Sequence, residues 1–203
     1  MRLLGQKVKT EVGIMNKNFN IVFSGVGGQG IITLTKIIAE AAAIDGYDVK
    51  TSELHGLSQK GGSVQTHVRF GKKIHSPLIS FGRADLILGL DVSETLRNIN
   101  YADSKTIVLV DKRQLFYLGS LPEEQVVKKL KTSFEGKKHL ISASEICKRE
   151  LGKEVVSGIY LLGYGVRKKI IPLEFASLLK AVSKVIPQKY LELNKKALKL
   201  AQK

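Results

Sequence analysis

A chain of 203 residues, 43% apolar and 25% charged, has room for one domain and matches ordinary globular usage. That composition excludes a disordered chain, a collagen-like repeat and a disulfide scaffold, and no apolar run approaches the about 18–20 residues of a membrane span. The net charge of +15 sits mainly in residues 121–203, with 18 basic against 8 acidic side chains, a field that attracts nucleic acid, anionic cofactors or acidic proteins, or merely solvates helix faces.

Residues 1–18 read as an N-terminal extension, since Met15 could restart the chain just ahead of the first apolar run. They lack the apolar stretch of about 7–15 residues that a secretory signal requires, so the expected location is cytoplasmic. Residues 19–24 are an apolar strand ending at Gly25-Val26-Gly27-Gly28-Gln29-Gly30. Ile31, Leu34, Ile37, Ile38 and Ala41 then recur at helical spacing until Asp45-Gly46. Residues 47–51 read as a second strand completing a βαβ unit.

Residues 52–62 form a polar, glycine-rich loop. Beyond it, Val64, Thr66, Val68 and Phe70 alternate with Ser63, Gln65, His67 and Arg69, the pattern of a strand. The Gly71-Lys72-Lys73 turn predicts antiparallel pairing with a strand at Ile74 and His75. Residues 84–90 and 106–110 are strands apolar on both faces. Ser93 and Ser144 are candidate helix caps, Pro122 opens a helix to residue 134, and residues 138–142 are a candidate edge strand. Residues 157–166 form a glycine-bearing helix, and Pro172 and Pro187 open two more. The expected fold is three-layer α/β/α with a mixed, mostly parallel sheet. Residues 19–152 would form the α/β domain, and the helical residues 153–203 would pack on it.

The chemistry is concentrated early in the chain. Gly-x-Gly-x-x-Gly after a strand and opening a helix lets the backbone turn tightly and points free N–H groups at an anion. Glu53 stands where a dinucleotide fold places its ribose-binding acid. Ser58, Gln59, Lys60, Gly61, Gly62 and Ser63 offer a cation, hydroxyls and backbone donors to an anion, and His67 and Arg69 read as reaching the same end. There is no Gly-x-Ser-x-Gly elbow, Walker loop or kinase set. Cys147, the one cysteine, cannot supply the four thiolates of an iron–sulfur cluster, and His55, His67, His75 and His139 have no zinc spacing. Cys147 falls on the apolar side of a helix and reads as core.

Residues 21–111 closely resemble the gamma-type subunits of 2-oxoacid:ferredoxin oxidoreductases, and best the small (beta) subunits of the indolepyruvate type. The resemblance is carried by Gly25-Val26-Gly27-Gly28-Gln29-Gly30-Ile31 and by Ser52-Glu53-Leu54-His55-Gly56-Leu57-Ser58-Gln59-Lys60-Gly61-Gly62-Ser63-Val64. His67-Val68-Arg69-Phe70-Gly71, Ser76-Pro77-Leu78-Ile79 and Gly82-Arg83-Ala84-Asp85-Leu86 extend it. Lys60 replaces a commoner arginine, keeping the charge without the fork.

The resemblance implies a large (alpha) partner subunit carrying thiamine diphosphate, Mg2+ and [4Fe–4S] clusters, with none of these bound by this chain alone. It also implies ferredoxin as acceptor, an aryl 2-oxoacid as substrate and coenzyme A as co-substrate. Gly27, Gly28, Gln29 and Gly30, with residues 58–63, would wall the active-site channel. In isolation the chain could pair as a homodimer. Two readings stay open beside this one: a free-standing NAD- or FAD-binding oxidoreductase, and a basic nucleic-acid-binding module.

Overall fold

The computed structural model describes residues 17–55, 62–116 and 119–201, and the side chain of His55 lies outside the described set. The elements run β1 (Phe19–Val26), α1 (Ile31–Ile44), β2 (Asp48–His55), β3 (Ser63–Gly71), β4 (Leu86–Gly89), α2 (Val92–Arg97) and β5 (Ile107–Asp111). Beyond them come α3 (Glu123–Thr132), β6 (Lys138–Ile141), α4 (Ala143–Leu151), α5 (Ser157–Arg167), α6 (Phe175–Val185) and α7 (Gln188–Leu200).

The six strands form one sheet in the order β2-β3-β1-β4-β5-β6. β1, β4, β5 and β6 pair in parallel, while β3 runs antiparallel to both β1 and β2. The sheet is therefore mixed, with five strands sharing one direction. Its layout differs from the simple βαβ unit read from the sequence, because β3 separates β1 from β2. The reason is burial. Val64, Val68 and Phe70 fill one face of β3 and His67 is sealed on the other, which suits an interior place. β2 exposes most of its residues and takes the edge. Ile74 and His75 form no strand; Ile74 is buried, and its N–H donates to Asp48 Oδ2 at 2.7 Å.

The alternation along β1 divides the core. Ile21 and Phe23 join α1, α4, α5, α6 and α7 in one cluster, whereas Val22 joins Ile87, Val108 and Val110 under α2 and α3. Each fully buried side chain such as Phe23 or Leu88 contributes about 1.5–3 kcal/mol by leaving water. Helices from α5 onward pack into the first cluster, and glycines set their approach. A side chain at Gly163 would come within 2.8 Å of the Leu198 carbonyl on α7, and one at Gly158 within 2.7 Å of Leu34 on α1.

Two predicted caps are displaced by aspartates at strand ends. Asp91, not Ser93, caps α2, its Oδ1 accepting from Ser93 N at 2.8 Å and Glu94 N at 3.0 Å. Ser144 lies inside the first turn of α4 instead of capping it, and its N–H and hydroxyl donate to buried Asp111. A carboxylate can accept several such bonds at once and carries the charge that suits a helix start, so it outcompetes a serine.

β4 meets α2 with no room to spare, because a side chain at Gly89 would overlap Thr95 Oγ1. That hydroxyl is held by Asp91 O at 2.7 Å and lies 3.4 Å from Ser24 Oγ. Gly89→Ala is expected to destabilise the fold by about 1–3 kcal/mol through overpacking, read as a lower denaturant midpoint. A midpoint equal to wild type would contradict this packing.

Candidate functional site

All five co-directional strands deliver their carboxyl ends to one edge, where open α/β sheets bind ligands. Residues 25–30 leave β1 there, and Gly62 and Ser63 enter β3 beside them. Gly28 and Gly30 have φ of 100° and 84°, and a side chain at either would meet nothing within 4 Å. Backbone conformation, not crowding, selects glycine at both positions. Gly25 is different, since a side chain there would press on Gln29 Oε1 at 2.6 Å.

The Gln29 carboxamide braces the loop. Its Oε1 accepts from Val26 N at 2.7 Å, and its Nε2 donates to Leu90 O at 3.2 Å, bridging the ends of β1 and β4. On the other side Gly27 N donates to Gly62 O at 2.9 Å. The N–H groups of Val26 and Gly27 are thus committed within the fold. Gly28 and Gly30 stay exposed. The first N–H groups of α1 lack intrahelical acceptors, as at every helix start, and no acidic side chain sits in that first turn.

Six of the predicted residues, Gly27, Gly28, Gln29, Gly30, Gly62 and Ser63, come together at this edge. Ser58, Gln59, Lys60 and Gly61 lie outside the described residues. Arg69 does not reach the edge. Because β3 runs antiparallel, Arg69 pairs with Asn20 while Ser63 pairs with Val26. Six residues of strand separate them, about 20 Å. Arg69 spends its guanidinium on Asn20 Oδ1 at 2.9 Å and on the carbonyls of Ser76 and Leu78 at 2.8 and 3.1 Å.

His67 sits midway, opposite Val22, and is 1% exposed. Its Nδ1 accepts from Ile79 N at 3.1 Å, so the proton is on Nε2. Gln65 Nε2 stands 2.6 Å from His67 Nε2, and because that ring nitrogen carries the proton the amide must be turned over to accept through its oxygen. The ring meets Tyr101 edge-on at 5.1 Å, and Phe81 meets Tyr101 edge-on at 4.9 Å. Burial, then the charge of Arg69, lowers the pKa of His67 to about 4. The imidazole is a neutral pillar under the loop after β3.

Two carboxylates missing from the sequence candidates organise the neighbouring strand ends. Asp91 Oδ2 accepts from Leu115 N at 2.7 Å, fixing the segment after β5 against α2. Burial pushes the Asp111 carboxyl up, countered in part by hydrogen bonds from Ser144 and Ser157 and by the charge of Arg113. The signal was an aspartate closing each buried apolar run. Cys147 is fully buried, and burial, then Asp111, pushes its thiol up to about 12, which disqualifies it as a nucleophile. Among the described residues no group of three or more His, Cys, Asp or Glu is placed to hold a metal.

The dinucleotide reading meets two obstacles. Glu53 lies two strands from β1, about 10 Å away, because β3 intervenes. The crevice between β1 and β4, where a pyrophosphate would lie, is bridged by Gln29.

His67 carries a pH signature. It titrates near 6.5 when unfolded and about 4 when folded, so between these values the unfolded chain takes up a proton that the folded chain refuses. Stability is expected to fall by up to about 3 kcal/mol as pH drops from 6.5 to 4, with no further loss from this group below that. Urea melts across this range should be flatter for His67→Gln, and an equally steep profile would contradict the assignment.

The family model described as pyruvate ferredoxin/flavodoxin oxidoreductase matches residues 20–203. The indolepyruvate oxidoreductase subunit IorB of Thermococcus kodakarensis is 32% identical over 92% of this chain and 96% of its own length. The pyruvate synthase subunit PorC of Thermotoga maritima is 26% identical over 92% of this chain and 94% of its own. Among solved structures, the gamma subunit of a keto/oxoacid ferredoxin oxidoreductase from Geobacter sulfurreducens aligns with a TM-score of 0.67 at 25% identity, covering 90% of this chain and 95% of that one. A 2-oxoglutarate:ferredoxin oxidoreductase from Magnetococcus marinus shares the fold with a TM-score of 0.70 at 19% identity, over 93% of this chain and 31% of that one. The family match over residues 20–203, a relative at 32% identity and the shared fold lead to one conclusion: the chain belongs to the pyruvate ferredoxin/flavodoxin oxidoreductase family, as a small, gamma-type subunit of the 2-oxoacid:ferredoxin oxidoreductases.

Proposed function

We propose that the chain is the subunit without clusters of an indolepyruvate (aryl 2-oxoacid):ferredoxin oxidoreductase, acting in the cytoplasm with a larger alpha subunit. The observation that carries this reading is the 32% identity to a named indolepyruvate oxidoreductase subunit over 92% of the chain, against 26% to a pyruvate synthase subunit. The stretch from Ser52 to Val64, which resembles the indolepyruvate type, supports it. The assembly would convert an aryl 2-oxoacid, coenzyme A and two oxidised ferredoxins into the arylacetyl-CoA, CO2, a proton and two reduced ferredoxins.

The [4Fe–4S] clusters do not fit this chain, and they are assigned with thiamine diphosphate and Mg2+ to the partner, as the resemblance implies. A cluster takes four thiolates, and the single cysteine is sealed in the core. What the chain offers is a wall. Exposed Gly28 and Gly30 and the free N–H groups opening α1 suit the phosphates of coenzyme A, and Lys60, outside the described residues, would add a cation by its place in the sequence. Gln29 would hold the loop in shape from behind. The segment after β5 presents Phe116, 71% exposed, and Leu121, 40% exposed, at the same edge, as a surface meant for a partner would.

In a reconstituted two-subunit complex, Gly28→Ala, by straining a backbone at φ 100°, and Lys60→Ala, by removing a cation, are each expected to raise the KM for coenzyme A about tenfold, or about 1.4 kcal/mol. The KM for indolepyruvate should hold steady. Unchanged coenzyme A kinetics in both variants would remove the loop from the site. Co-purification of a brown, iron-bearing larger partner is expected, and 2-oxoacid turnover by the chain alone would overturn the subunit reading.

A further inference from the structure

The opposite edge of the sheet, where the strands begin, holds a cleft of about 320 Å3 lined by Lys17, Asn20, Arg83, Asp85, Asp103 and Lys105, with Asn18 and Ala84 completing it. That volume lies at the lower end of small-ligand sites. Nothing in the reading of the glycine loop uses it.

Both carboxylates of the cleft are already engaged. Asp85 accepts from Asn20 N at 2.9 Å and pairs with Lys17 at 3.0 Å. Asp103 accepts from Lys105 N at 2.8 Å and from Thr106 N at 3.0 Å and its hydroxyl at 3.1 Å. These bonds, led by that from Lys105 N, hold its carboxyl below the usual range. Asn20 is engaged too, donating to Arg83 O at 3.0 Å and accepting from Arg69. The Asn18 amide donates to Lys73 O at 3.4 Å.

Two cationic heads remain. The Arg83 guanidinium and the Lys105 ammonium have no hydrogen bond or ion pair among the described residues. Each rises from a fixed base. Gly82 N and Ala84 N, on either side of Arg83, donate to Asn100 O and Tyr101 O at 2.9 Å, and Asp85 N donates to Asn20 O. Lys105 lies within the tight turn that Asp103 closes. A planar fork and a compact ammonium on rigid bases face a concave space in which Asp85 is paired with Lys17 and Asp103 is held by the hydrogen bonds of its own turn. Such an arrangement lowers the ordering cost of gripping a multivalent oxyanion.

We propose that this cleft binds the phosphate group of a soluble phosphate ester, with Arg83 as the bidentate contact and Lys105 as a point charge, while Lys17 stays on Asp85. The concave shape favours a small ligand over a nucleic acid duplex, whose phosphates lie along a convex rod.

The test uses the full chain and inorganic pyrophosphate, followed by amide NMR shifts and calorimetry. Shifts are expected at residues 17–20, 83–85 and 103–106. Arg83→Ala should weaken binding at least tenfold, Lys105→Ala by less, and Arg83→Lys should fall between. Lys128→Ala, on α3, should bind as wild type, and melting temperatures of all four variants should match it. Shifts spread over the lysine-rich helices, or Arg83→Ala binding like wild type, would overturn the site. A short DNA duplex that perturbs the same amides as strongly as pyrophosphate would overturn its assignment to a small ligand.

Discussion

A strand that buries side chains on both faces has only interior places in a sheet, and that constraint on β3 governs the layout of both sheet edges. β3 lies between β1 and β2 and runs against them. Its amino end therefore arrives beside the glycine loop, which allows Gly62 O to accept from Gly27 N. Its carboxyl end carries Arg69 away to the opposite edge, where the guanidinium holds the carbonyls of Ser76 and Leu78. Had β2 paired with β1, Glu53 would have stood beside the loop in the manner of a dinucleotide fold. The order of three strands sets this glycine loop apart from a dinucleotide site.

The polar groups buried at strand ends have a common task. Asp91 and Asp111 each close an apolar strand and collect N–H or hydroxyl donors from the segments after them. Gln29 does the same without charge, bridging β1 and β4. Burial of these groups is tolerated because their bonds are made; an unmade one would cost about 1–3 kcal/mol. The carboxyl edge is thus rigid in its frame, and among the described residues it exposes the backbone of Gly28 and Gly30 together with the side chains of Glu53, Ser63 and Phe116.

Much of this was legible from residue order. Apolar runs at 19–24, 84–90 and 106–110 became β1, β4 and β5, and the glycine loop fell between strand and helix because both neighbours are strongly patterned. The strand order was not legible, since alternation reports which faces are buried but not which strand lies alongside. Reach went wrong for the same reason: Arg69 is near Ser63 in sequence yet about 20 Å away along a strand that runs backwards. His67 looked like a polar-face residue because its cover, the loop bearing Ile79 with Tyr101 beyond, comes from far along the chain. Asp91 and Asp111 were visible as letters, but capping depends on which N–H groups the fold brings within hydrogen-bond reach.

The bond from Gly27 to Gly62 has an effect beyond its own strength. It joins the first glycine-rich stretch to the end of the second, so the two cannot be positioned independently. Were the two stretches to hold separate occupants, any coupling carried by this contact would act by an equal factor in both directions. A single backbone contact thus ties the end of β1 to the start of β3, two points 35 residues apart along the chain.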